Sequence, residues 1–216
     1  MSAFPKTSRN RVKRLPERAA YDKETIYKIL DQALICHVGI AQENQPFVIP
    51  TIHARRGDAL LLHGATTSRL LQHIQAGNPI CVATTLLDGL VVARGIFHNS
   101  MNYRSVVLFG VGRVLEEPQA KYDALFALSE HIMPGRWDDA RLPSKKELKA
   151  TTIIEMPIEV ATAKLRVGGP KDDAEDYEKD WWAGVIPIQQ KFLAPQPDVK
   201  LHREIPVPSY LKNYKR

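Results

Sequence analysis

Between residues 33 and 64, three runs rich in β-branched residues are separated by turns too short to hold a helix. "ALICHVGIAQ" (33–42) meets "FVIPTIHAR" (47–55) across "ENQP". Arg56-Gly57-Asp58 then leads into "ALLLHG" (59–64). Parallel neighbours need a crossover of a dozen or more residues, so strands this close pair antiparallel. The spacing predicts a meander and excludes βαβ units over this stretch.

The rest of the chain extends that reading. "YDKETIYKIL" places Asp22 as an N-cap before Ile26, Ile29 and Leu30, which predicts a short amphipathic helix. "TSRLLQHIQAG" (67–77) reads as a helix with Leu70, Leu71 and Ile74 on its apolar face and Gly77 as its stop. "NPICVATTLL" (78–87) and "LVVARGIF" (90–97) read as strands around an Asp88-Gly89 hairpin turn. "SVVLFGVGRVLEE" (105–117) follows as a strand, with Gly110 and Gly112 marking a bulge or a close backbone approach. Residues 118–135 form a helix that opens on Pro118 and stops at Pro134-Gly135. "TTIIEMPIEVATAKLRV" (151–167) reads as one last long strand, and "WWAGVIPI" re-enters the core. The expectation is one antiparallel barrel of roughly seven strands with helices plugging its ends. Residues 1–20 are expected as a basic arm, 21–193 as the barrel domain, and 194–216 as a Pro-rich basic arm.

The net charge of +6 suggests a polyanion partner, but its distribution argues otherwise. Residues 1–18 carry +5 and residues 197–216 carry +3, which leaves −2 for the body between them. A nucleic-acid groove puts its charge on the folded body, with aromatics between the cations. No nucleic acid and no membrane are expected as partners. No apolar run approaches the roughly 18 residues that span a bilayer. The N-terminal segment is basic without an apolar core, unlike a secretory signal, and Pro5 and Pro16 oppose an amphipathic transit helix. Cys36 and Cys81 lie in apolar runs, with no CxxC partner and no His spacing for zinc. They read as free thiols of a reducing, cytoplasmic compartment, and no metal site is expected.

Several motifs can be set aside. Gly110-Val111-Gly112 lacks a third glycine and opens no helix, so it is not a dinucleotide loop. His131 is not part of HExxH, and neither Ser100 nor Ser105 sits in GxSxG. Three stretches remain. In "HGATTSRLL" (63–71) a strand ends near His63 and a helix begins near Ser68. Thr66, Thr67 and Ser68 offer hydroxyls, Arg69 a fork of donors, and the helix start free N–H groups, a set suited to phosphate. Ordinary helix capping explains the same residues. In "FHNSMNYRSVVLFGVGRV" (97–114), hydrogen-bonding groups crowd the mouth of an apolar strand. Arg104 offers a second cation and Ser105 a ligand-edge hydrogen bond. A solvated strand end with Tyr103 and a surface Arg is the alternative. In "DWWAGV" (180–185), adjacent tryptophans cannot share one face of an extended segment. One of them either covers a flat ligand or lids the barrel.

These stretches, with "RVKRLPERAAYD", "HVGIAQENQPFVIP", "SEHIMPGRWDDARLP" and "ATAKLRVGGPKDDAEDYEKDWWAGVIPI", run in order over about residues 11 to 188. Together they resemble the pyridoxamine 5'-phosphate oxidase-like, flavin-nucleotide-binding superfamily, in particular its Nim-type 5-nitroimidazole resistance branch. The resemblance implies a mainly β fold, an antiparallel split β-barrel that forms a homodimer and binds FMN at the subunit interface. It implies that Thr67, Ser68 and Arg69 hold the FMN phosphate and that the strand through Pro50 and Thr51 runs past the ring. His63 would lie close to the flavin. Arg104 and Ser105 would reach phosphate, ribityl or ring atoms, Tyr103 would support them, and Trp182 would cover the site.

Two departures separate the chain from true pyridoxine-phosphate oxidases. Leu70 stands where those carry a Lys after Ser-Arg. "KLHRE" (200–204) mimics their Arg-Leu-His-Asp-Arg motif but lies in a Pro-rich tail. Vitamin B6 oxidation is therefore not the expected activity. The expectation is two-electron reduction of a small acceptor, such as a nitro group or quinone, with electrons from NAD(P)H. In that reading His63 donates a proton and Arg104 stabilises negative charge. The alternatives are a flavin carrier or sensor without turnover, and a barrel whose basic arms bind a polyanion. The resemblance does not separate FMN from heme or a deazaflavin.

Overall fold

The computed structural model describes residues 2–201 and 204–215. In chain order the elements are β1 (Ala19–Ala20), α1 (Lys23–Gln32), β2 (Ile35–Gln42), β3 (Gln45–Arg56), β4 (Ala59–Ala65), α2 (Arg69–Gln75), β5 (Ile80–Val92), β6 (Ser100–Gly110), β7 (Arg113–Val114), α3 (Pro118–Ile132), α4 (Lys145–Ala150), β8 (Thr151–Pro157), β9 (Val160–Arg166), β10 (Gly184–Pro187) and α5 (Ser209–Lys212). The strands form one antiparallel sheet of ten in the order β1-β9-β6-β5-β2-β3-β4-β8-β7, with β10 paired to β5. The sheet coils into a split β-barrel, as expected. No described helix is long and apolar enough to cross a membrane.

Alternation along each strand sorts the side chains onto two faces. The inner face carries Val38, Leu62, Val82, Leu108 and Met156, closed over by Ile26 and Leu30 of α1 and by Leu71 and Ile74 of α2. Asp22 caps α1 as read from the sequence, its carboxylate accepting from the Thr25 N–H at 2.8 Å. On the outer face, Ala54, Leu61 and Ile153 pack beneath Ala124 and Leu128 of α3. Farther along that face none of the described residues covers Ile35, Val48 or Leu87, which are 51%, 67% and 42% exposed.

The meander is present, with β2 on β3 and β3 on β4. Four other expectations need correction. Asp88-Gly89 is not a hairpin turn. β5 runs straight through it, and its register with β6 shifts between Leu87 and Gly89 as a bulge. The reason is distant in sequence: β10 pairs with this part of β5, and a Cβ on Gly89 would stand 2.9 Å from the Ile186 carbonyl oxygen. The stretch 151–167 is two strands, β8 beside β4 and β9 beside β6. "WWAGVIPI" supplies the half-exposed β10, and both tryptophans lie on the surface. The polar stretch before Val106 belongs to β6 itself, which begins at Ser100. Gly112 does mark a close approach, since a Cβ there would meet Ile154 at 2.4 Å and Ile74 at 2.8 Å.

The basic N-terminal segment lies on the barrel. Phe4 joins the core, Asn10 donates to the Ala161 carbonyl at 2.9 Å, and β1 pairs with β9. Near the C-terminus, Tyr210 donates to Asp139 at 2.8 Å and Tyr214 to the Ile132 carbonyl. His202 and Arg203 of "KLHRE" lie outside the described residues. Cys36 and Cys81 are free thiols, and burial pushes Cys36 up to about 12.

Candidate functional site

The segment from His63 to Arg69 turns the chain from β4 into α2. The turn is tight: Ser68 N–H donates to the Ala65 carbonyl at 2.9 Å, and the Ser68 carbonyl accepts from Gln72 N–H at 2.9 Å. Leu70, Leu71 and Ile74 fix α2 in the barrel mouth. Thr66, Thr67 and Arg69 stay exposed. The Ser68 hydroxyl makes no capping hydrogen bond. Simple capping therefore does not account for this Ser. The Arg69 guanidinium stacks on Phe47 at 4.3 Å. Among the described residues it forms no ion pair.

His63 precedes this turn, half-buried on the outer face opposite Ile153. Its Nδ1 is buried with no hydrogen-bond partner. Burial also lowers its pKa from the ordinary 6.5, because charging the ring there costs solvation. At pH 7 the ring is neutral, a state that accepts a proton or a metal bond more readily than it gives up a proton.

The second stretch divides by strand parity. Tyr103 and Ser105 lie on the outer face, opposite Leu87 and Thr85 of β5, whereas Arg104 lies on the inner side with Leu86. The Ser105 hydroxyl donates to the Lys164 carbonyl at 3.2 Å. Arg104 grips Asp88 with two bonds, Nε at 2.9 Å and Nη2 at 2.8 Å, and donates through Nη1 to Gln32. Asp88 raises the Arg104 pKa further. This ion pair lines a cavity of about 580 Å³ with Leu34, Leu86 and Phe192. Arg69 lines a different cavity, with Gln42, Glu43 and Phe47. Within the chain the two cations do not meet.

On β3, Pro50 faces outward opposite His37, and Thr51 sits opposite the buried Cys36. Pro50, His63, Tyr103 and Ser105 thus share the outer face, while Thr51 and Arg104 belong to the inner one. Trp182 is 68% exposed and packs its ring over Gly184, where a Cβ would come within 3.0 Å. In the sequence Asp88 has the setting of a turn residue and Arg166 lies within the run 151–167, so neither belongs to the expected site. The lone charge of Asp88 inside an apolar run is its signal, whereas Arg166, two residues after Lys164, carries none in the sequence.

A family model described as pyridoxamine 5'-phosphate oxidase matches residues 22–165. The chain belongs to the pyridoxamine 5'-phosphate oxidase family. Among solved structures, this family member is similar to the flavocytochrome Anf3 from Azotobacter vinelandii, with 38% identity, 95% of each chain covered and a TM-score of 0.90. It is similar to an FAD and heme binding protein from Mycobacterium smegmatis, with 34% identity, 89% of this chain and 95% of that one covered, and a TM-score of 0.86. A 5-nitroimidazole antibiotic resistance protein from Bacteroides thetaiotaomicron matches at 25% identity over 68% of this chain and 85% of its own, with a TM-score of 0.58. No curated protein matches.

Proposed function

We propose that the chain is a flavin-nucleotide-binding redox protein, a homodimer that holds its flavin beside the open sheet face and passes electrons from NAD(P)H to a small acceptor. The observation that carries this reading is the Ser68–Arg69 segment, whose hydroxyl caps nothing and whose cation forms no ion pair among the described residues. That donor set fits a phosphate monoester. FMN is the flavin the motifs favour. FAD enters because the similar flavocytochrome-type structures include one described as FAD-binding, and Arg69 serves either molecule's phosphate. The dimer rests on the bare apolar strip through Ile35, Val48 and Leu87, which a second copy would cover.

When bound, the flavin supplies the electron chemistry, and the protein holds and orients it. Arg69 and Ser68 would anchor the phosphate, with Thr67 beside them. Pro50 and His63 would border the ring from the outer face, Tyr103 and Ser105 would continue that wall, and Trp182 is free to cover it. Thr51 contributes backbone, since its side chain turns inward. Arg104 acts from within its pair with Asp88, so we assign it to holding β5 on β6 rather than to stabilising charge on a substrate.

A second reading adds heme, which is named for the flavin- and heme-binding structure at 34% identity. The orphaned Nδ1 and neutral ring of His63 suit iron ligation better than proton donation. Titration of FMN, FAD and heme into the protein tests both readings. Tight flavin binding that weakens in Arg69→Ala is expected. A flavin affinity indifferent to Arg69 would remove the phosphate assignment. A Soret band that His63→Ala leaves unchanged would remove His63 as the heme ligand.

A further inference from the structure

A second group of cations lies far from Arg69. Antiparallel pairing of Ala19 with Lys164 carries Arg18 alongside the end of β9, where Arg166 sits. The Lys164 ammonium donates to the Arg14 carbonyl at 3.1 Å and ties that segment down. Arg14, Arg18, Arg166, Lys171 and Ser100 line one cavity of about 260 Å³. Arg166 is only 7% exposed. Its donors go to neutral oxygens: Asn102 Oδ1 at 2.5 Å and the carbonyls of Gly168 and Gly169 at 3.2 and 3.0 Å. Among the described residues none of these four cations forms an ion pair. Of the nearby acids, Asp172 pairs with Arg94 and Asp173 with His98, while Glu17, next to Arg18, is exposed and forms no ion pair among the described residues.

Charges are buried when they are paired, and like charges are not gathered in a cavity without a reason. Here burial and the facing Arg18 both lower the Arg166 pKa. The fold accepts that cost with no carboxylate to relieve it. Tyr103, opposite both Arg166 and Leu87, marks the level of the cavity on the sheet. Arg69 stacks on Phe47, whose partner Ile40 lies level with Ile80 at the other end of β5. The separation is about 20 Å along the strand.

We propose that Arg14, Arg18, Arg166 and Lys171 form a second anion site that takes the phosphoryl group of a nucleotide. Three guanidinium groups and an ammonium line a space of that size, and Ser100 adds a hydroxyl. The phosphoryl group belongs either to the adenylate half of FAD or to a free nucleotide such as the electron donor. The site itself stands independently of flavin binding at Arg69. Only the FAD alternative rests on the function proposed above.

The test uses full-length protein carrying Arg69→Ala, so that the other phosphate segment is silent, and inorganic pyrophosphate and ADP as probes in calorimetry at low salt. Both probes are expected to bind. Their Kd should rise at least ten-fold when Arg18→Gln and Lys171→Ala are added. Lys171 is exposed, and Lys171→Ala alone should raise Kd without touching the fold. Failure of either probe to bind, or unchanged affinity in the variants, overturns the site. FMN and FAD affinities, measured with Arg69 intact, identify the source. A loss for FAD alone assigns the site to its second phosphate, and a loss for ADP with both flavins unchanged assigns it to a free nucleotide. If no flavin binds at all, the function proposed above fails while the pyrophosphate result still decides the site.

Discussion

Arg69 and Arg104 are two arginines on one barrel that the sequence presents alike, each beside a Ser, one at a helix start and one at the mouth of a strand. The structure treats them differently. Arg104 is bound two-fold by Asp88 and once by Gln32, and it fastens the bulged part of β5 to the end of α1. Arg69 lies on the aromatic face of Phe47 and forms no ion pair among the described residues. A cation with its carboxylate already in place contributes to the fold, whereas one held near uncommitted hydroxyls is available to a ligand. Arg166 sharpens the contrast, being buried like a structural residue yet unpaired like a binding one.

Substitution of the two arginines tests this contrast most strongly. Arg69→Ala should cost flavin binding about 1.5–3 kcal/mol, roughly ten- to a hundred-fold in Kd, as expected for a charge-assisted phosphate contact. Thermal stability should stay within a degree or two, since Arg69 is exposed. Arg104→Ala should do the reverse. Its side chain and that of Asp88 are 29% and 34% exposed, so solvent screens the pair and the stability loss should be about 1 kcal/mol. Flavin Kd should change less than about two-fold. If Arg104→Ala instead abolished flavin binding with no loss of melting temperature, the distinction between the two arginines would collapse.

His63 gives a smaller, pH-dependent effect. Its folded pKa is lowered, so below the unfolded value of 6.5 the unfolded chain binds more protons than the folded one. Stability from this group is present above that pH and is lost as pH falls through and below it. The wild type should lose more stability than His63→Leu between pH 7 and pH 5. Chemical denaturation at the two pH values measures the difference. Parallel losses would mean the ring charges freely in the fold and is not the buried neutral group described here.

The sequence carried much of the fold because much of it is local. The Asp22 cap, the apolar faces of α1 and α2 and the tight turns of the meander are each decided within a few residues. The failures have a common origin in partners far along the chain. Asp88-Gly89 has the composition of a hairpin turn, but β10, almost a hundred residues later, needs the missing Cβ of Gly89 to approach β5. Tyr103, Arg104 and Ser105 form one cluster in the sequence, but the strand period of two sends the middle residue to the other face. Pro157 ends β8 where a continuous strand was expected, and β9 departs to the other side of the sheet. The candidate site was legible at "HGATTSRLL", where turn, hydroxyls and cation are contiguous. It was illegible at Arg166, whose importance depends on Arg14 and Arg18 arriving from the N-terminal segment.

The flavin reading stands or falls with the uncommitted Ser68–Arg69 segment as the holder of a flavin phosphate. The most direct measurement is the absorbance spectrum of the purified protein, taken before and after saturation with FMN or FAD followed by desalting. The account predicts a flavin band that survives desalting in the wild type and washes out in Arg69→Ala. A wild-type protein that desalts colourless after saturation with either flavin would contradict it.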